Sequence, residues 1–181
     1  MKENQFQKPL VNAVAKKAIE TIDIANWLPS DEDIIHFDLL PFLYKELILK
    51  EVEFRIALQE IDWSIYKHKY VRISCSNQSI IPIWAFMLVA SYLAPHVAFA
   101  AYAAKVADFN NLLLRDTINQ LDVEYYKEKR IIIKGCSDKN IDVEIYTLLT
   151  QKLVPISKTI SYGEPCSMVP IHKKSVDDIA L

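Results

Sequence analysis

Glycine is almost missing from this chain of 181 residues, which has two. The glycine-rich loops that cradle phosphates need more, and neither Gly-x-Gly-x-x-Gly nor Gly-x-x-x-x-Gly-Lys occurs. Dinucleotide and P-loop chemistry are excluded on that ground. Cysteine is scarce as well: there are three, an odd number, with no Cys-x-x-Cys pair. Lys2, Glu3 and Lys8 are not followed by the apolar run of a secretory signal. Reduced thiols or metal ligands in a cytoplasmic protein are therefore expected, rather than a disulfide framework. His-Glu-x-x-His and Gly-x-Ser-x-Gly are absent too.

No charge of one sign dominates. The formal net charge is −2, which gives no electrostatic reason to expect nucleic acid or an anionic membrane. Lys127, Lys129, Arg130 and Lys134 are interrupted by Glu124 and Glu128 and read as a solvated helix end and turn. From Ile73 to Ala104 there is no Asp, Glu, Lys or Arg, but Pro82 and Pro95 divide the stretch. The helical piece between them falls short of the ~20 residues a membrane span needs, so a buried core helix is expected.

What the chain does have is an internal repeat. Ile61–Ser76 resembles Leu121–Ser137, with Asp62, Tyr66, Lys67 and Lys69 matching Asp122, Tyr126, Lys127 and Lys129. A one-residue slip near Gly135 aligns Cys75-Ser76 with Cys136-Ser137, and Leu93-Ala-Pro95 then corresponds to Leu153-Val-Pro155. The repeat thus covers residues 61–97 and 121–157 of a single domain, 1–181. Each copy reads as a polar turn, a buried β-branched strand (Val71–Ile73, Ile131–Ile133), a Cys-Ser pair and a helix. The helices are expected at Ser79–Leu93 and Asp142–Leu153, with Ser79 and Asp142 as N-caps.

Further strands are expected at Val97–Tyr102 and Ile156–Tyr162, and an amphipathic helix at Asp108–Leu121. In the first sixty residues, Val11–Thr21 and Val52–Ile61 read as helices and Ile34–Leu40 as an edge strand or packing arm. The tail from Lys173 is polar enough to fray. The expected fold class is α/β: a largely parallel sheet with helices on both faces, built on a duplicated strand–Cys-Ser–helix unit.

All three cysteines precede serine, as Cys75-Ser76, Cys136-Ser137 and Cys166-Ser167, and both glycines, Gly135 and Gly163, lie beside them. Were the strands parallel in one sheet, Cys75, Cys136 and Cys166 would emerge at the same carboxyl edge, where open α/β sheets place ligands. Three thiolates suit zinc or an iron–sulfur cluster, with a fourth ligand required. His172 is the best placed histidine by chain order, Glu164 and Asp138 are weaker candidates, and His68 and His96 fall at the opposite edge. Ser76, Gly135, Ser137, Gly163 and Ser167 would border a bound group.

Three other readings remain open. Cysteine is among the most buried residue types, so the thiols could be core residues. Cys136 after Gly135 could be a nucleophile of a thiol enzyme. The apolar helix with Ile81, Trp84, Phe86, Met87, Leu88, Tyr92 and Leu93 is either central in the packing or part of an interaction or homo-oligomer interface, the core role being favoured.

The segments Tyr70–Ser76, Ile131–Ser137 and Tyr162–Ser167 resemble an uncharacterised family catalogued as domain of unknown function 2480 and found mainly in bacteria of the Bacteroidetes, from about Val11 to Lys174. Members lie near genes for iron–sulfur cluster assembly, which implies assembly proteins as partners. The resemblance carries over no catalytic residue.

Overall fold

The computed structural model describes residues 19–77, 79–135 and 139–174. In chain order these form β1 (Ile19–Ile22), β2 (Ile34–Asp38), β3 (Leu43–Tyr44), β4 (Ile48–Leu49), α1 (Glu51–Gln59), β5 (Tyr70–Ser74), α2 (Ile83–Leu93), β6 (Phe99–Tyr102), α3 (Val106–Gln120), β7 (Arg130–Ile133), α4 (Val143–Leu153), β8 (Thr159–Glu164) and β9 (Ser167–Lys173). Two compact units result. One is Met1–Asp23, Asp122–Cys136 and Thr150–Leu181, and the other is Ile24–Leu121 and Ser137–Leu149. Among the described residues no helix is long and apolar enough to cross a membrane.

The expected single sheet is replaced by separate ones. In the larger unit β2, β5 and β6 form a three-stranded parallel sheet, and β3 and β4 form a small antiparallel pair. In the other unit β1, β7 and β8 run parallel, and β9 returns antiparallel along β8. The fold is α/β with partly parallel sheets. Each strand–helix–strand piece recruits its third parallel strand from the first sixty residues, so the two pieces do not pair with each other.

Four pairs of elements recur at a constant spacing. Short 3-10 turns occupy Trp63–Tyr66 and Val123–Tyr126, and β5 and β7, α2 and α4, and β6 and β8 each start 60 residues apart (70 and 130, 83 and 143, 99 and 159). The local chemistry follows the same spacing. Asp62 Oδ1 accepts the Ser64 N–H at 3.0 Å, and Asp122 Oδ1 accepts the Glu124 N–H at 3.1 Å. His68 and Glu128 hold φ of 61° and 56°. Ala85, Val89 and Leu93 are buried in α2, as are Ile145, Leu149 and Leu153 in α4. The one-residue slip expected near Gly135 concerns residues 136–138, which lie outside the described residues.

The core of the larger unit gathers Phe37, Leu39, Phe54, Leu58, Trp63, Val71, Ile73, Ala85, Val89 and Leu93. Trp63 stacks between Phe37 and Tyr92 and donates its indole N–H to the Leu58 carbonyl at 2.9 Å. Two expectations about α2 change here. The helix starts at Ile83 after Pro82 as N-cap, because Ser79 is used in the preceding loop. The helix also buries one face rather than all of them, leaving Ile83 78% and Met87 67% exposed.

The remaining differences lie at the chain's two ends. Ile19–Ile22 is a strand where the end of a Val11–Thr21 helix was expected, and residues 11–18 lie outside the described residues. Residues 175–181 of the expected fraying tail lie outside them too, and Lys173 ends β9, which was not foreseen.

Candidate functional site

Strand alternation builds the site. Phe37 in β2 and Val71 and Ile73 in β5 are buried in the core. With a side-chain period of two, His36 and Asp38 in β2 and Arg72 and Ser74 in β5 stand on the opposite face. The parallel register sets His36 beside Arg72 and Asp38 beside Ser74. A pocket of about 500 Å³ opens there, at the carboxyl edge of the sheet, lined by these residues other than Asp38 and by Cys75, Ser76, Ser79, Phe86, Tyr102 and Ala104. Phe86 meets the Tyr102 ring edge-on at 4.9 Å and closes one side.

Ser74 is the most buried polar side chain of this lining, 4% exposed. Its Oγ shares a hydrogen bond of 2.7 Å with His36 Nε2 and accepts one from Arg72 Nη1 at 2.8 Å. The same Nη1 donates to the carbonyls of Ala103 and Ala104 at 3.1 and 3.2 Å. Burial, followed by the Arg72 charge, lowers the His36 pKa below its ordinary 6.5 against an opposing pull from Asp38. His36 is therefore neutral at pH 7.

The loop after β5 is held from two sides. Asp38 Oδ1 accepts the N–H groups of Leu40 and Ser76 at 3.0 and 2.9 Å. Burial works to raise the Asp38 pKa, but hydrogen bonds from the Ser76 hydroxyl and from these two N–H groups, with His36 nearby, hold it below 3.8. On the other side Asn77 Oδ1 accepts the Cys75 thiol at 3.0 Å and the Ser79 N–H at 3.0 Å. Asn77 Nδ2 and Ser79 Oγ both donate to the Glu46 carbonyl, at 2.6 and 3.0 Å.

Of the residues singled out by the sequence, Cys75 and Ser76 line this pocket. Cys136, Ser137 and Asp138 lie outside the described residues. Gly135 follows β7 with the Tyr162 ring against its Cα, where a Cβ would collide with the ring's outer end. Gly163 has φ of +122° and packs on the Ser167 carbonyl in the β8–β9 hairpin. Cys166 is exposed in the turn of that hairpin, between Glu164 and Ser167.

His172 pairs with Ile160 near the far end of β9, its Nε2 buried without a hydrogen-bond partner among the described residues. At the rise of an extended strand, Cys166 and His172 are separated by ~20 Å, too far to share an ion. Cys75 follows a strand of one sheet and Cys166 follows a strand of another, so these two thiols do not share the carboxyl edge of a single sheet. Among the described residues no group of three or more His, Cys, Asp or Glu is arranged to hold a metal ion.

The sequence reading missed His36, Arg72, Ser74, Ser79 and the walls formed by Phe86 and Tyr102. A signal existed in the polar residues at i and i+2 near the ends of two short apolar strands, His36/Asp38 and Arg72/Ser74.

One protein-family model, described as protein of unknown function (DUF2480), matches residues 8–174. No curated protein and no solved structure matches the chain.

Proposed function

The chain belongs to the DUF2480 family, and from the chemistry of its pocket we propose that it binds a small organic anion at the carboxyl edge of the β2–β5–β6 sheet. The observation that carries this is Arg72. Among the described residues it is the one permanently charged side chain lining the pocket, and its hydrogen bonds to them run through Nη1, with no acceptor among them for Nε or Nη2. The neighbouring Asp38 carboxylate is already engaged by backbone N–H groups. A guanidinium edge of this kind suits a carboxylate, sulfonate or phosphate. Phe86 and Tyr102 add an apolar wall, and the volume suits a small-molecule ligand.

Benzenesulfonate is the test ligand, because its charge does not change with pH, and benzenesulfonamide is its uncharged control. NMR titration is expected to give saturable shifts of the His36 and Arg72 side chains with the sulfonate alone. Arg72→Gln should weaken binding by roughly 10- to 100-fold, the worth of a charge-assisted hydrogen bond. Equal binding of the uncharged control, or no saturation, sinks the reading.

Thiolate binding of zinc or an iron–sulfur cluster through Cys75, Cys136, Cys166 and His172, with assembly proteins as partners, is the second reading. It is supported by the three Cys-Ser pairs and by the position of Cys75 in this pocket. It does not fit as one four-ligand site, since Cys166 and His172 stand at opposite ends of β9. The Cys75 proton, now held by Asn77, would also have to leave. Elemental analysis of anaerobically purified protein tests it, and absence of stoichiometric metal ends it. The constant 60-residue spacing of turn, strand, helix and strand supports a third element of the proposal, that these segments descend from one duplicated unit.

A further inference from the structure

We infer that Ser74 is an acyl-accepting nucleophile, with His36 as its base, for esters of small carboxylic acids. The inference rests on the pocket being a ligand site, as proposed above, and adds a reaction to it. Ser74 lines the pocket, and its Oγ is hydrogen-bonded to His36 Nε2 at 2.7 Å and to Arg72 Nη1 at 2.8 Å. A guanidinium can only donate, so Arg72 occupies a lone pair of Oγ and leaves the hydroxyl proton for the imidazole. Nucleophile and base are thus within the reach that proton transfer requires. His36 is neutral at pH 7, for the reasons given with the site, so its lone pair is available. The Arg72 cation beside Oγ favours the developing alkoxide character.

The step balances within the pocket. The Oγ lone pair forms a bond to the ester carbonyl carbon, the hydroxyl proton passes to His36 Nε2, and the carbonyl π electrons move to oxygen. When that carbonyl re-forms, the C–O bond to the alcohol breaks and the alkoxide takes the proton from His36. Water then repeats the sequence, with His36 removing its proton, and the acid leaves with Ser74 regenerated. No oxidant, reductant or metal enters.

The test uses the full chain and p-nitrophenyl acetate, followed by neutral hydroxylamine, which strips a thioester from Cys75 and leaves an oxygen ester on Ser74. The expected result is a burst of p-nitrophenolate and one acetyl group on Ser74 by peptide mass spectrometry. Ser74→Ala should lose both, and His36→Gln, which keeps a hydrogen-bonding side chain, should slow acylation by roughly 10²- to 10⁴-fold. An acetyl found on lysine or Cys75 alone, or none at all on the wild-type chain, overturns the inference whatever the variants do. Saturable benzenesulfonate binding with Ser74 unmodified removes the nucleophile and leaves the anion site standing. Acetylated Ser74 with no benzenesulfonate binding removes the anion site and keeps the nucleophile.

Discussion

The Asp38 carboxylate accepts the backbone N–H of Ser76 at 2.9 Å and, through the same oxygen, that of Leu40 at 3.0 Å. One side chain therefore fixes both chain exits, from β2 and from β5, that frame the pocket. Asp38→Asn keeps an acceptor but loses the charge, and it should cost about 1 kcal/mol. Because the folded Asp38 pKa lies below 3.8, its contribution is complete above that value and is lost as pH falls through the folded pKa. Urea melts of the wild type between pH 5 and pH 2 should show this loss, and in Asp38→Asn that part of the slope should vanish.

His36 titrates in the opposite sense for binding and for stability. Its folded pKa lies below 6.5, so the unfolded chain takes up a proton first and the stability contribution present above 6.5 is lost as pH falls. The proton that lowers stability adds positive charge beside Arg72. Benzenesulfonate affinity should therefore rise several-fold as pH falls through the His36 pKa, by Coulomb attraction in a partly screened site. His36→Gln should show a flat affinity across the same range. A wild-type affinity independent of pH would place the anion away from His36.

The two glycines should respond differently to alanine. At Gly163, φ of +122° and the Ser167 carbonyl both oppose a Cβ, so Gly163→Ala should cost about 1–3 kcal/mol. At Gly135 the backbone is not left-handed and the obstacle is the outer end of the Tyr162 side chain rather than main chain. Gly135→Ala should thus stay within about 1 kcal/mol of wild type. Chemical denaturation of both variants decides it.

His68 and Glu128 hold left-handed backbone at equivalent points of the two turns. That conformation costs a non-glycine residue ~1–2 kcal/mol, while glycine's extra chain entropy costs ~0.5–1. His68→Gly and Glu128→Gly should therefore be neutral or stabilising by up to about 1 kcal/mol, the reverse of what exposed glycine substitutions do elsewhere. The denaturation midpoints of the two variants are the readout.

Much of the local structure was written plainly. The β-branched runs at Val71–Ile73 and Ile131–Ile133 are strands, the regions expected to be helical after them hold α2 and α4, and Ile34–Asp38 is an edge strand. Pairing partners were not legible, because periodicity records which residues face a core and not which strand lies alongside. Hence one sheet was expected where separate ones formed.

Ile19–Ile22 is too short for its period to separate strand from helix, and Pro170 inside β9 reads as a break although an edge strand tolerates it. Cys75 and Ser76 stood out because every cysteine precedes a serine, whereas His36 and Arg72 needed the register of β2 on β5 to meet.

The β1–β7 pairing has a consequence for how the chain is made. Ile19 must wait for Arg130, and the Asp23–Lys134 ion pair beyond them joins positions 111 residues apart. At ~5–20 residues per second, a ribosome leaves β1 without its partner for several seconds at least. Over the same interval β2, β5 and β6 emerge in order and can close their own sheet. The first strand of the described residues is thus left without its parallel neighbour until most of the chain has been synthesised.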